Sequence, residues 1–123
     1  MSPLFFNLNR DFDNVVESIF GVLDILERVV EGDSLNSFGG VYYESYMLGM
    51  VIKLERNSYA YENDFNYTLW VDKDYNSSVR ITDEIEKSML DLILSLLSIN
   101  LNIEIGIERD GELLIVPPPS INI

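Results

Sequence analysis

The sequence predicts an α+β fold: one antiparallel sheet of four or five strands with two helices packed on one of its faces, in the order (β)-α-β-β-α-β-β. Three observations predict it. Residues 11–32 and 83–98 space their apolar side chains as helices do. Residues 46–57, 65–74 and 101–116 alternate apolar with polar side chains, as half-buried strands do. These stretches fill a single domain of 123 residues, 47% of them hydrophobic, which is enough apolar material for a core without disulfides or a metal.

In chain order, residues 4–8 form a candidate first strand with Pro3 at its edge. Phe12, Val15, Val16, Ile19, Leu23, Leu26, Val29 and Val30 then follow helical spacing, with Asp13, Glu17, Asp24, Arg28 and Glu31 on the opposite side. Gly32 is the expected C-terminal stop. Residues 33–40 read as a loop of Asp, Ser, Asn and Gly. In the hairpin that follows, Leu48, Met50, Ile52 and Leu54 share one face of the first strand, and Phe65, Tyr67, Leu69 and Val71 one face of the second. Residues 83–98 read as a core helix, apolar all round except for Ser88, Asp91, Ser95 and Ser98, with Asp83 as N-cap and Glu86 completing a variant capping box.

The last hairpin turns at Asp110-Gly111, which sets Ile107 opposite Leu114 and Ile105 opposite Val116 on the core side. Pro117, Pro118 and Pro119 end it. Trp70, Val51, Leu113 and Ile115 fall on the second face of the sheet.

Charge is the outlier of the composition. Twenty-one acidic against eight basic residues give −13, spread through the whole length. Such a surface repels nucleic acid and anionic lipid and attracts basic proteins, so neither a nucleic-acid nor a membrane partner is expected. The chain has no cysteine and no histidine, which excludes thiol chemistry, cysteine-based metal sites and the histidine-dependent triads. No catalytic motif is present, and an enzyme is not expected. Asp72, Asp74, Asn76, Ser78 and Asp83 match positions 1, 3, 5, 7 and 12 of a calcium loop. Ser77 stands where that loop needs Gly, however, and a strand pattern precedes it, so the stretch reads as a polar strand-to-helix connection and no metal or cofactor is expected. The first residues lack a basic segment ahead of an apolar run, and the most apolar window, residues 92–101, is too short to span a bilayer; a cytoplasmic protein is expected.

All seven tyrosines lie between positions 42 and 75, interleaved with carboxylates. Tyrosine offers rigid contact area with a polar tip, and neighbouring acids suit a basic partner. The expected partner-binding residues are Tyr59, Tyr61, Glu62 and Asp64 in the connection between the hairpin strands, together with Asp72, Asp74 and Tyr75 beyond it.

In general character over its whole length, small, acidic, free of cysteine and histidine and of α+β pattern, the chain resembles the immunity proteins of bacterial toxin systems, including those of contact-dependent growth inhibition. That resemblance implies tight binding and neutralisation of one cognate toxin domain, often a nuclease whose phosphate-binding cleft is basic. The alternative is a structural or assembly protein that forms a homodimer or larger homo-oligomer through an uncovered sheet face.

Overall fold

The computed structural model describes residues 2–33 and 40–119. Its elements are β1 (Ser2–Phe6), α1 (Phe12–Val22), a short 3-10 turn (Leu26–Arg28), β2 (Val30–Asp33), β3 (Val41–Met47), β4 (Met50–Arg56), β5 (Tyr67–Lys73), α2 (Asp83–Leu101), β6 (Ile105–Arg109) and β7 (Glu112–Val116). The fold is α+β, as expected, but the open antiparallel sheet has seven strands, in the order β2-β3-β4-β5-β1-β6-β7. Both additional strands lie between α1 and β4. The loop expected over residues 33–40 falls mostly outside the described residues.

The candidate first strand, which spans Ser2–Phe6 and not 4–8, is an interior strand of the sheet, paired with β5 from Ser2 to Phe6 and with β6 only from Leu4 onward, beyond the proline that lacks an N–H. Leu4 and Phe6 face the helices and are fully buried; Phe5, also fully buried, faces the other way. Helix α1 starts at the N-cap Asp11, whose carboxylate accepts from the Asn14 N–H at 2.9 Å. It stops ten residues before the expected Gly32. Asp24 takes the left-handed conformation (φ 59°), the Ile25 N–H bonds back to the Phe20 carbonyl and the Asp24 N–H to that of Gly21, which together form a Schellman stop. Gly32 instead lies in β2 opposite Tyr42, and a Cβ there would sit 2.3 Å from the Tyr42 ring. What position 32 requires is the space for that ring.

Residues 46–57 are likewise not one strand. Leu48 and Gly49 both have positive φ and form a two-residue hairpin turn that separates β3 from β4. From there the expected faces hold: Met50, Ile52 and Leu54 of β4 and Tyr67, Leu69 and Val71 of β5 are buried beneath the helices with Val15, Ile19, Phe20, Ile93 and Leu97. Phe65 departs from this set and packs on the opposite face. Ser45 of β3 also points into the core side, and its buried hydroxyl finds no hydrogen-bond partner among the described residues. An unsatisfied buried hydroxyl costs about 1–3 kcal/mol. Ser45→Ala is therefore expected to raise stability by about 1 kcal/mol, read as a melting point higher by a few degrees.

Helix α2 is capped by Thr82, not Asp83: the Thr82 hydroxyl accepts from the Ile85 N–H at 3.2 Å. Asp83, one residue inside, pairs with Lys73, and Glu86 accepts from the Lys73 N–H, so both acids tie α2 to the end of β5. The Asp83 bond holds the Lys73 ammonium above its ordinary range, and Lys73 holds the Asp83 carboxyl below its own. The helix runs on to Leu101 and turns out through the left-handed Asn102, so the alternating stretch begins in the helix and β6 starts only at Ile105. Nor is α2 a fully buried core helix. Leu90, Ile93, Leu97 and Ser98 are buried, while Ile85, Leu92 and Ile99 are exposed. The final hairpin has the expected pairs, Ile107 with Leu114 and Ile105 with Val116, about a turn in which Asp110 and Gly111 both have positive φ. Among the described residues no helix is long and apolar enough to cross a membrane.

Candidate functional site

Period-two alternation places Glu44 and Tyr46 of β3, Val51, Lys53 and Glu55 of β4, and Thr68, Trp70 and Asp72 of β5 on the face away from the helices. The register joins them in rows across the strands. Glu44, Lys53, Trp70 and Pro3 form one row; Tyr42, Glu55, Thr68, Phe5 and Gly106 form the next.

The connection between β4 and β5 folds back over this face. Asn57 is its pivot: the side-chain amide donates to the carbonyls of Ala60 (2.7 Å) and Phe65 (3.0 Å), and its oxygen accepts from the Tyr59 N–H (3.1 Å) and the Thr68 hydroxyl (2.8 Å). Asn7 fastens the far side by donating to the Asp64 carbonyl and accepting from the Asn66 N–H. Held in this way, the connection delivers three rings onto Phe5. Tyr59 stacks at 6.4 Å, Tyr61 meets it edge-on at 5.3 Å and Phe65 lies at 6.0 Å. Gly106 leaves room for Phe65, since a Cβ there would come within 3.1 Å of that ring and of Leu113. The middle of the second sheet face is thus roofed, which explains how an all-antiparallel sheet with helices on one side buries both faces at its centre.

Beside this roof opens a cleft of about 510 Å³, lined by Glu44, Tyr46, Val51, Lys53, Glu55, Ser58, Tyr59, Trp70 and Asp72. Its size is that of a pocket for a small ligand or a partner's side chains. Tyr59 meets Trp70 edge-on at 5.0 Å, so one aromatic wall is built by the loop and the strand together. Three carboxylates face a single ammonium. Glu55 is buried, accepts from the Trp70 indole N–H at 2.9 Å and lies 3.6 Å from Lys53, which also sits over the Tyr42 ring at 4.5 Å. Glu44 accepts from the Tyr46 hydroxyl at 3.0 Å, and that bond pushes the Tyr46 phenol above its ordinary range. Chemically the cleft offers aromatic faces and excess negative charge, the combination that holds a guanidinium or ammonium group.

Of the residues expected from the sequence, the structure brings Tyr59 and Asp72 into this cleft. Tyr61 is turned away from it: in the left-handed conformation (φ 57°), it donates to Glu108 at 3.0 Å, a bond that pushes its phenol upward. Glu62 lines a separate depression with Arg56 and Asn66, and Asp64 is exposed beside it. Asp74 accepts from the Asn76 N–H in the turn after β5, where Tyr75 is 87% exposed. The calcium-loop spacing does not gather its donors: Asp72 belongs to a strand and Asp83 is paired with Lys73, and among the described residues no group of three or more acids is placed to hold a metal.

Glu44, Tyr46, Lys53, Glu55 and Ser58 are the lining residues that the sequence reading missed. Their signal was cross-strand register, which becomes visible only once β3 is separated from β4. Comparison with protein-family models, with curated proteins and with solved structures finds no match for this chain.

Proposed function

We propose that this chain is an immunity protein, a binding inhibitor that neutralises a cognate basic toxin domain, in particular a nuclease, and that the cleft beside Trp70 is where a basic side chain of the toxin anchors. The observation that carries this reading is the composition of the cleft: Tyr46, Tyr59 and Trp70 around Glu44, Glu55 and Asp72, on a chain of charge −13. A nuclease must present positive charge to its phosphate substrate, and an acidic protein meets that surface with long-range attraction. Rigid aromatic anchors in a desolvated pocket then supply selectivity.

Tyr59 is the residue to remove first, because it is 51% exposed at the cleft while Tyr61 and Phe65 remain to cover Phe5. The test uses the immobilised chain to retain partners from a lysate of its own organism, followed by assay of the retained basic protein for nucleic-acid cleavage with and without the free chain. Stoichiometric inhibition by the parent chain, weakened by Tyr59→Ala by about 2 kcal/mol of binding, is the expected result. A retained protein whose activity the chain leaves unchanged would argue against the reading.

A further inference from the structure

The exposed side of α2 carries an apolar seam of its own. Ile85, Met89, Leu92, Leu96 and Ile99 follow one another at intervals of four, three, four and three residues, the spacing of the contact positions in paired helices. Ile85 is 43% exposed, Leu92 52% and Ile99 65%; Met89 and Leu96 are half-buried beside them. The flanks are small and uncharged: Ser88 and Ser95 on one side, Asn100 on the other, all exposed. From Ser88 to Leu101 the only charged residue is Asp91, and Arg109 pairs with it at 2.6 Å. On a chain of charge −13, this is a surface on which two copies can meet without setting their excess charge face to face.

We propose that the occupant of this seam is the α2 seam of a second copy, packed antiparallel. Charge selects the direction. The acids of α2 are gathered at its start, in Asp83, Glu84 and Glu86, and its last turn has no charged residue. A parallel pair would bring the acidic ends of two copies together. An antiparallel pair separates the two acidic ends, leaving near each of them only the partner's exposed Glu104 just past its helix, and opposes the two helix dipoles favourably. The register that buries most of the seam pairs Met89 with Ile99 of the other copy and Leu92 with Leu96, and Ser88 and Ser95 allow the close approach that interdigitation needs.

From Ile85 to Ile99 the seam is about 21 Å long. One helix pair of that length buries less than the roughly 1,200 Å² at the low end of standard interfaces, so the dimer is weak. Because α2 and the Trp70 cleft lie on opposite faces of the sheet, the dimer carries two clefts directed outward. It stands or falls independently of what the cleft binds.

Sedimentation velocity from about 5 to 500 μM tests it, a range high enough to show weak association. A shift from monomer to dimer across that range is expected, abolished by Leu92→Glu and retained by Val79→Glu, which adds the same charge at an exposed apolar residue outside the seam. A strict monomer throughout, or equal loss in both variants, overturns the proposal. Orientation has its own readout, because the chain has no cysteine. Met89→Cys and Ile99→Cys copies mixed and oxidised are expected to form a disulfide between unlike copies, whereas neither alone cross-links, its two sulfurs being about 15 Å apart along the helices. Cross-linking of each variant with itself would show a parallel pair and overturn the antiparallel assignment.

Discussion

Phe5→Ala is expected to lower stability by about 3–5 kcal/mol, the largest effect of any single truncation on the second face of the sheet. The ring is fully buried on the interior strand β1, and Tyr59, Tyr61 and Phe65 all rest on it. Removing it leaves a cavity and takes the floor from beneath the loop that supplies Tyr59 to the cleft. Chemical denaturation followed by far-ultraviolet circular dichroism checks the stability. Trp70, the only tryptophan in the chain, checks the site, because loosening the loop alters its contact with Tyr59 and thus its emission before the global transition. A loss below about 1 kcal/mol, outside the range for a buried Phe, would mean that the aromatic roof does not rest on Phe5.

Much of this arrangement is legible in the sequence, and the failures have identifiable causes. Strict alternation and a turn of favourable type gave β6, β7 and their register down to the pair Ile105 and Val116. The same alternation put Trp70 and Val51 on the second face. What escaped were devices that use residues against their local preference. Asp24 in the left-handed region stops α1, and Leu48 in the same region splits a stretch that otherwise alternates continuously. With β3 hidden in that stretch, Glu44 and Tyr46 had no place, and the cleft could not be assembled. Seven apolar residues in α2 read as burial on all sides; their outer row is an exposed seam, because seven-residue spacing describes the packed face and the exposed one equally well. Tyr61 lies outside the cleft lining. It carries the composition of a contact residue, yet long-range packing on Phe5 and the bond to Glu108 turn it inward.

The second large effect concerns charge. Glu44 and Asp72 lie on the β3 and β5 sides of the cleft, with Lys53 between them in sequence register. Replacing both acids by lysine changes the cleft lining from three carboxylates and one ammonium to one carboxylate and three ammoniums, while leaving the aromatic walls and the helical core in place. Steering by complementary potentials raises association rates by about 10- to 1,000-fold at low salt. Reversal of the local sign is expected to forfeit at least about tenfold of that rate, and the difference should shrink as salt screens it over a few ångströms. Glu62→Lys with Asp64→Lys changes net charge by the same amount outside the cleft lining and is expected to slow association less. The comparison separates the cleft from the general acidity of the chain.

The most direct measurement is therefore stopped-flow mixing of this chain with any basic domain recovered in the capture experiment proposed above, followed through the emission of Trp70. The expected result is a change in Trp70 emission on binding, at a rate that falls about tenfold or more in the Glu44→Lys/Asp72→Lys variant at low salt and far less at high salt. Binding that leaves Trp70 unaffected, at a rate indifferent to that reversal, would contradict the cleft as the site and with it the account of how this chain meets its partner.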